Sequence, residues 1–205
     1  MSTISVVIAT YGDDAWRTMA LTRAYPSVQQ QGSDHQVILH HDPFGTRAAS
    51  LNGGVARTTG NWILLLDADD ELAPGYVGAM RRALEQHRDD GTREVLFTPA
   101  VQQIRRGRPG RPFFFPEVDL AGGNWLVIGT MINKGLFTEI GGFREHPHGL
   151  EDWNLWNRAV RAGARIVKVK DAVYRAYVNP QSAHHRFQRN RRAYMAAYEV
   201  AKADV

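Results

Sequence analysis

With 205 residues, 43% of them hydrophobic, the chain can bury one substantial core but not two independent domains. The absence of cysteine excludes disulfide staples, thiolate nucleophiles and cysteine zinc sites and fits a cytoplasmic chain, so any metal has to be held by oxygen or imidazole. Net charge is +4 with a pI near 9.6, a modest excess made notable by two arginine clusters, and no apolar run approaches the ~20 residues that cross a bilayer.

Ile4 to Ala9 is a β-branched run ended by Thr10-Tyr11-Gly12, the pattern of a buried strand entering a loop, and lacks the length and flanks of a signal peptide. A helix is expected from about Asp14 to Gln30, a second strand from Gln36 to His40 ending at His41-Asp42-Pro43, and a helix from Thr46 to Thr58. Gly53-Gly54 within it lacks the spaced glycines and Gly-Lys-Ser/Thr of a phosphate loop and reads as close packing. A third strand, Trp62 to Leu66, ends at Asp67-Ala68-Asp69-Asp70, and a helix follows from about Pro74 to His87. Alternating strands and helices imply a parallel α/β sheet with ligands outside the carboxyl ends of its strands, where Tyr11, Asp42 and Asp67 fall. The pattern then changes: Glu94 to Ile104 and Pro112 to Val118 read as two hairpin arms around a basic tip, Arg105 to Arg111. A helix from about Leu150 to Ala162, a strand from Arg165 to Val169 and a basic helix from about Arg186 complete the chain.

Two acidic groups carry the chemistry. Asp67, Asp69, Asp70 and Glu71 crowd the end of an apolar strand, where mutual repulsion is costly unless a cation sits among them. Mg²⁺ or Mn²⁺ takes carboxylate oxygens plus substrate phosphates, so Asp-x-Asp at a strand end suits a metal-diphosphate; the plainer reading is one helix-capping Asp beside solvated neighbours. Glu151-Asp152-Trp153 opens a helix, where the carboxylates also suit the helix dipole and Trp153 and Trp156 suit a core.

Val6 to Tyr11, Asp42 and Leu66-Asp67-Ala68-Asp69-Asp70, together with Gly141-Gly142-Phe143-Arg144-Glu145 before Glu151-Asp152-Trp153, resemble glycosyltransferase family two. The resemblance implies a GT-A fold: a mostly parallel central sheet flanked by helices, with a small hairpin and a C-terminal helical segment. It implies one catalytic domain over 1–205, with a nucleotide-sugar half over 1–90, an acceptor half over 91–180 and a basic C-terminal helix over 181–205. It implies inverting transfer from a UDP-sugar, or another nucleoside diphosphate sugar, to an acceptor hydroxyl. By this carry-over Thr10, Tyr11, Asp42, Arg47, Asp67, Asp69 and Trp153 bind the nucleotide-sugar, with Trp153 serving as both wall and core. Asp69, Asp67, Asp70 and a late histidine, His184 with His185 beside it, are the metal candidates. Asp152 is the expected general base, worth roughly 10² to 10⁴ in rate, with Glu151 positioning the acceptor. The chain departs from the family at Ala9, Gly12 and His41, where Pro, Asn and Asp are common.

Arg106-Gly107-Arg108-Pro109-Gly110-Arg111-Pro112 resembles an AT-hook, whose arginine enters narrow A·T minor grooves. With Arg186, Arg189, Arg191 and Arg192 it raises a nucleic-acid partner and, as acceptor, a hydroxylated base in DNA. A solvated turn and an anionic-lipid contact are the other readings. The competing functions are a DNA-binding module on a catalytically inactive fold, and a nucleotidyltransferase, which would need a glycine-rich basic loop that Thr10-Tyr11-Gly12-Asp13-Asp14 lacks.

Overall fold

The computed structural model describes residues 3–87, 95–146, 149–178 and 190–205. β1 (Ile4–Tyr11) lies between β2 (His35–Asp42) and β3 (Trp62–Leu66), all parallel, with Tyr11 level with Asp42 and Ile8 level with Leu66. β1 and β3 are covered on both faces, which is why they read as near-continuous apolar runs; β2 is an edge strand and only half-buried. A short β7 (Ile132–Asn133) pairs antiparallel with β3.

A second sheet is built on β5 (Val95–Arg105) and β8 (Arg165–Tyr177), parallel over their whole length apart from a bulge beside Pro99. The edges of this sheet are β4 (Glu71–Leu72) on β8 and β6 (Arg108–Pro109) on β5. Among the described residues the two sheets meet at one antiparallel bridge, where Phe97 and Met131 exchange backbone hydrogen bonds of 3.0 and 2.8 Å. Because β3 and β5 both run opposite to the short segment Met131–Asn133, they point the same way. The carboxyl ends of β1, β2, β3, β5 and β8 therefore open on one side of the molecule.

The first expected helix forms as α1 (Asp14–Met19), a π-helical stretch over Ala20–Ala24, and α2 (Tyr25–Gln29). The wider turn comes just ahead of Pro26, which has no N–H to continue the α-helical ladder. Next comes α3 (Arg47–Ala56), capped by the Thr46 hydroxyl, which accepts from the Ala49 N–H at 3.2 Å. A side chain at Gly54 would collide with Val7, and one at Gly53 with His40, so these glycines are the close-packing positions of α3 on β1 and β2. α4 (Tyr76–Gln86) and α6 (Glu151–Arg161) match expectation closely.

Three elements escaped the sequence reading: β4, β7 and α5 (Lys134–Glu139), the last capped by the Asn133 side chain. β8 also runs on to Tyr177 instead of ending at Val169. The expected hairpin has its first arm, but the return arm differs from Pro112 to Val118: beyond β6 the Gly110 N–H donates to the Gln103 carbonyl and Phe113 pairs back with Val101. The C-terminal α7 (Arg191–Ala203) starts behind Asn190, which caps it, and lays Ala197 and Ala201 into the core. Among the described residues no helix is long and apolar enough to cross a membrane.

Candidate active site

The level ends of β1 and β2 build one wall. Thr10 is buried; its hydroxyl meets His41 Nδ1 at 2.9 Å, and its carbonyl accepts from the Ser50 hydroxyl of α3 at 2.7 Å. Tyr11 follows with 41% of its surface exposed. Asp42 closes β2: its carbonyl accepts from the Gly12 N–H at 3.1 Å, and its carboxylate from the Phe44 N–H at 3.1 Å. Any side chain at Gly45 would overlap the Asp42 carboxylate, so glycine there keeps the carboxylate in place.

Arg47, in the first turn of α3, is the centre of the site. Its Nη2 donates to Asp67 Oδ1 at 3.1 Å and Oδ2 at 3.4 Å, while its Nη1 donates to Glu151 Oε2 at 3.3 Å. One guanidinium thus joins the acidic end of β3 to the acidic start of α6. Burial alone would lower its pKa, but Asp67, Asp152 and Glu151 together hold it above the ordinary arginine value. Glu151 is buried, which pushes its carboxyl up against the opposing pull of Arg47. Asp152 is half-buried, and its Oδ1 accepts from the Trp153 N–H at 2.8 Å. Its charge also reaches Tyr194 of α7, whose hydroxyl pKa is raised first by burial and then by Asp152.

The aspartates after β3 take different parts. Asp67 faces Arg47. Asp69 is raised in pKa by burial and by Asp67, only partly offset by a hydrogen bond from its own backbone N–H and then by Arg23 and Arg47, and no side chain among the described residues hydrogen-bonds its carboxylate. Asp70, one of the metal candidates, is engaged by β8. Its Oδ2 accepts from the Tyr174 hydroxyl and its Oδ1 from the Tyr177 N–H, both at 2.8 Å, so both oxygens fasten the loop to β8. Arg23 braces the same loop, donating to the Asp69 carbonyl at 2.9 Å while its guanidinium lies 4.1 Å from the Tyr177 ring centre. Sequence reasoning missed Arg23, Tyr174 and Tyr177; the alternation of buried Ala172 and Tyr174 was the one available signal.

Trp153 is core rather than wall. It is 1% exposed, its Nε1 donates to the Leu120 carbonyl at 2.8 Å, and its ring stacks on Tyr198 at 4.4 Å. Among the described residues no three His, Asp or Glu side chains converge as a ready metal centre. His184, with His185, Arg186 and Arg189, lies outside the described residues. A shallow hollow of about 680 Å³, lined by Thr59, Asn61, Asn133, Lys134 and Glu139, sits at the opposite, amino end of β3, away from these carboxylates.

Residues 5–133, well over half of the chain, match the family profile Glycosyl transferase family 2. The chain belongs to that family. An uncharacterized glycosyltransferase, YwdF of Bacillus subtilis (strain 168), is 26% identical over 117 residues, which are 55% of this chain and 44% of YwdF. TarS 1-349 of S. aureus in complex with UDP-GlcNAc superimposes with a TM-score of 0.69 at 15% identity, covering 89% of this chain and 60% of TarS 1-349. The same protein in complex with UDP gives 0.65 at 16% identity, covering 97% and 65%. This family-two chain therefore has the GT-A fold of the glycosyltransferases, and it spans 44% of YwdF and 60% of TarS 1-349 in its UDP-GlcNAc complex.

Proposed function

We propose that this glycosyltransferase-family protein moves a sugar from a UDP-sugar to an acceptor hydroxyl with inversion, using Asp152 as general base. The carrying observation is the bridge through Arg47, which sets Glu151 and Asp152 across from Asp67 and Asp69 at the open end of the sheet. The donor reading is supported by the family and by relatives of the same fold that hold UDP-GlcNAc and UDP.

In the proposed reaction the acceptor oxygen attacks the anomeric carbon from the side opposite the diphosphate. Its proton passes to Asp152 as the new C–O bond forms, and the bond to the diphosphate breaks with its electron pair leaving on UDP. Tyr11 offers an exposed ring for the nucleobase and Asp42 an acceptor for its N–H. Asp69 fits Mn²⁺ or Mg²⁺: its carboxylate lies in a repulsive acidic loop that nearby arginines only partly neutralise, with Asp67 beside it. The donor diphosphate would complete the shell, and the bound cation would neutralise charge on the leaving group. Asp152→Asn is expected to lower kcat for sugar transfer by roughly 10² to 10⁴ while UDP affinity is retained. Measuring both with UDP-sugars and Mn²⁺ tests the assignment; a fully active Asp152→Asn enzyme would refute it.

A further inference from the structure

Of the motifs singled out in the sequence, the basic hairpin is the one that the donor site leaves unused. Arg105 and Arg108 face each other across the hairpin, Arg106 sits in the turn, and Arg111 follows in the return strand; all four are exposed. Most other arginines of the carboxyl face are engaged: Arg47 with Asp67 and Glu151, Arg23 with the Asp69 carbonyl, Arg175 with Glu71. At the tip, no carboxylate pairs with any of the four among the described residues, and the guanidinium of Arg105 meets only the Gln103 side-chain oxygen.

The tip is also held in shape. Arg106 at φ 51° and Gly107 at φ 75° make a left-handed two-residue turn, the kind that matches hairpin twist. Arg106 occupies a conformation that asparagine or glycine adopts with less strain, so the cation is kept at a local cost. The Gly110 N–H donates to the Gln103 carbonyl and the Gln102 side-chain amide to the Gly110 carbonyl, both at 2.9 Å.

Its position gives the tip a role. Ile104 is level with Tyr177, whose N–H holds Asp70, so the turn begins one residue beyond the level of the acidic loop. In sheet order the hairpin lies on the edge of β5 that faces β3, between β3, whose end carries Asp67, and β8, whose Tyr174 and Tyr177 hold Asp70. The geometry points to a nucleic-acid strand as the acceptor-bearing partner, its phosphodiesters gripped by Arg105, Arg106, Arg108 and Arg111 so that a hydroxyl carried on a neighbouring base reaches Asp152. This inference rests on the sugar-transfer reading for its chemistry. Planar guanidinium groups pair with successive phosphates, and the segment from Arg105 to Arg111 itself carries no large apolar side chain, the exposed Phe113 following it on the return arm.

The test compares the wild type with the fourfold variant Arg105→Gln, Arg106→Gln, Arg108→Gln, Arg111→Gln. Fluorescence anisotropy reads binding of a short labelled DNA duplex and of its single strand between about 50 and 200 mM salt. Cosedimentation reads phosphatidylglycerol vesicles, and UDP release from UDP-sugar without acceptor reads the donor site. Expected are salt-sensitive DNA binding by the wild type, a salt slope reduced by about 3 to 4 in the variant, and unchanged UDP release. The pair Arg108→Gln, Arg111→Gln alone should reduce the slope by about 2, which keeps the test open if the fourfold variant folds poorly. The inference is overturned if the wild type fails to bind DNA at the lowest salt, if the variants bind as the wild type does, or if they lose vesicle binding alone. Absence of UDP release from the wild type would instead overturn the sugar-transfer reading and leave the DNA result to stand by itself.

Discussion

At the scale of single residues, three aspartates within four positions have three different surroundings. Asp67 is neutralised by Arg47, Asp69 is left with charge to share, and Asp70 is spent on Tyr174 and Tyr177. The last has a measurable consequence. Burial, with Asp67 and Asp69 nearby, raises the Asp70 carboxyl well above its ordinary 3.8, despite the two hydrogen bonds it accepts. The folded state therefore binds the proton more readily than the unfolded chain. That contribution to stability is complete below the ordinary carboxylate value and lost as pH rises through the folded one. In chelator, the urea midpoint of Asp70→Asn is expected to fall less than that of the wild type as pH is raised from about 4 toward neutrality. Equal pH slopes for the two proteins would show that the carboxyl is not so perturbed.

At the scale of elements, the start of α6 is held by a clasp from the end of the chain. Tyr198 of α7 stacks on Trp153 and donates its hydroxyl to the Ala121 carbonyl at 3.1 Å, while the Trp153 indole donates to Leu120 next door. Asn154 donates to the Ala201 carbonyl at 3.0 Å, and Asp204 accepts from Arg144 at 2.9 Å. Asp152 and Glu151 thus stand on a helix whose first turn is locked from behind. Trp153→Ala should cost roughly 3 to 5 kcal/mol of stability by urea denaturation, the range for an emptied aromatic site in a core. The affinity of the folded fraction for UDP should remain, because Trp153 does not reach the donor face. A loss of UDP binding with little loss of stability would return Trp153 to the wall of the site.

At the scale of the whole molecule, parallel strands of two joined sheets deliver their ends to one open face, and that face is acidic at its centre. Ligand binding should therefore stabilise the entire fold. Mn²⁺ with UDP at a hundredfold excess over its dissociation constant adds about 2.7 kcal/mol, or roughly 5 to 11 °C in Tm for a domain of this size. Asp69→Ala is expected to remove the metal-dependent part of that shift, leaving the smaller effect of UDP alone. A thermal-shift series with and without Mn²⁺ reads both; an undiminished metal-dependent shift in Asp69→Ala would assign the cation elsewhere.

The sequence by itself determined where β1 and β3 give way to polar residues and where α6 starts. β1 and β3 are buried on both faces, so they appear as apolar runs with polar breaks at Thr10-Tyr11 and Asp67, and α6 announces itself through Glu151-Asp152 ahead of two tryptophans. Such signals are local, set by burial and by the needs of a helix terminus. Only the tertiary structure decided the partners. Arg47 meets Glu151 across 104 positions of chain, and Asp70 meets Tyr174 across the same separation. Which of several adjacent carboxylates turns inward depends on what a distant strand brings to it. β7 and β4, at two residues each, are too short to carry a period, and β8 beyond its bulge is extended because β5 pairs with it. A side chain's chemistry is written in its own residue; the charge it faces is supplied by residues that only folding brings near.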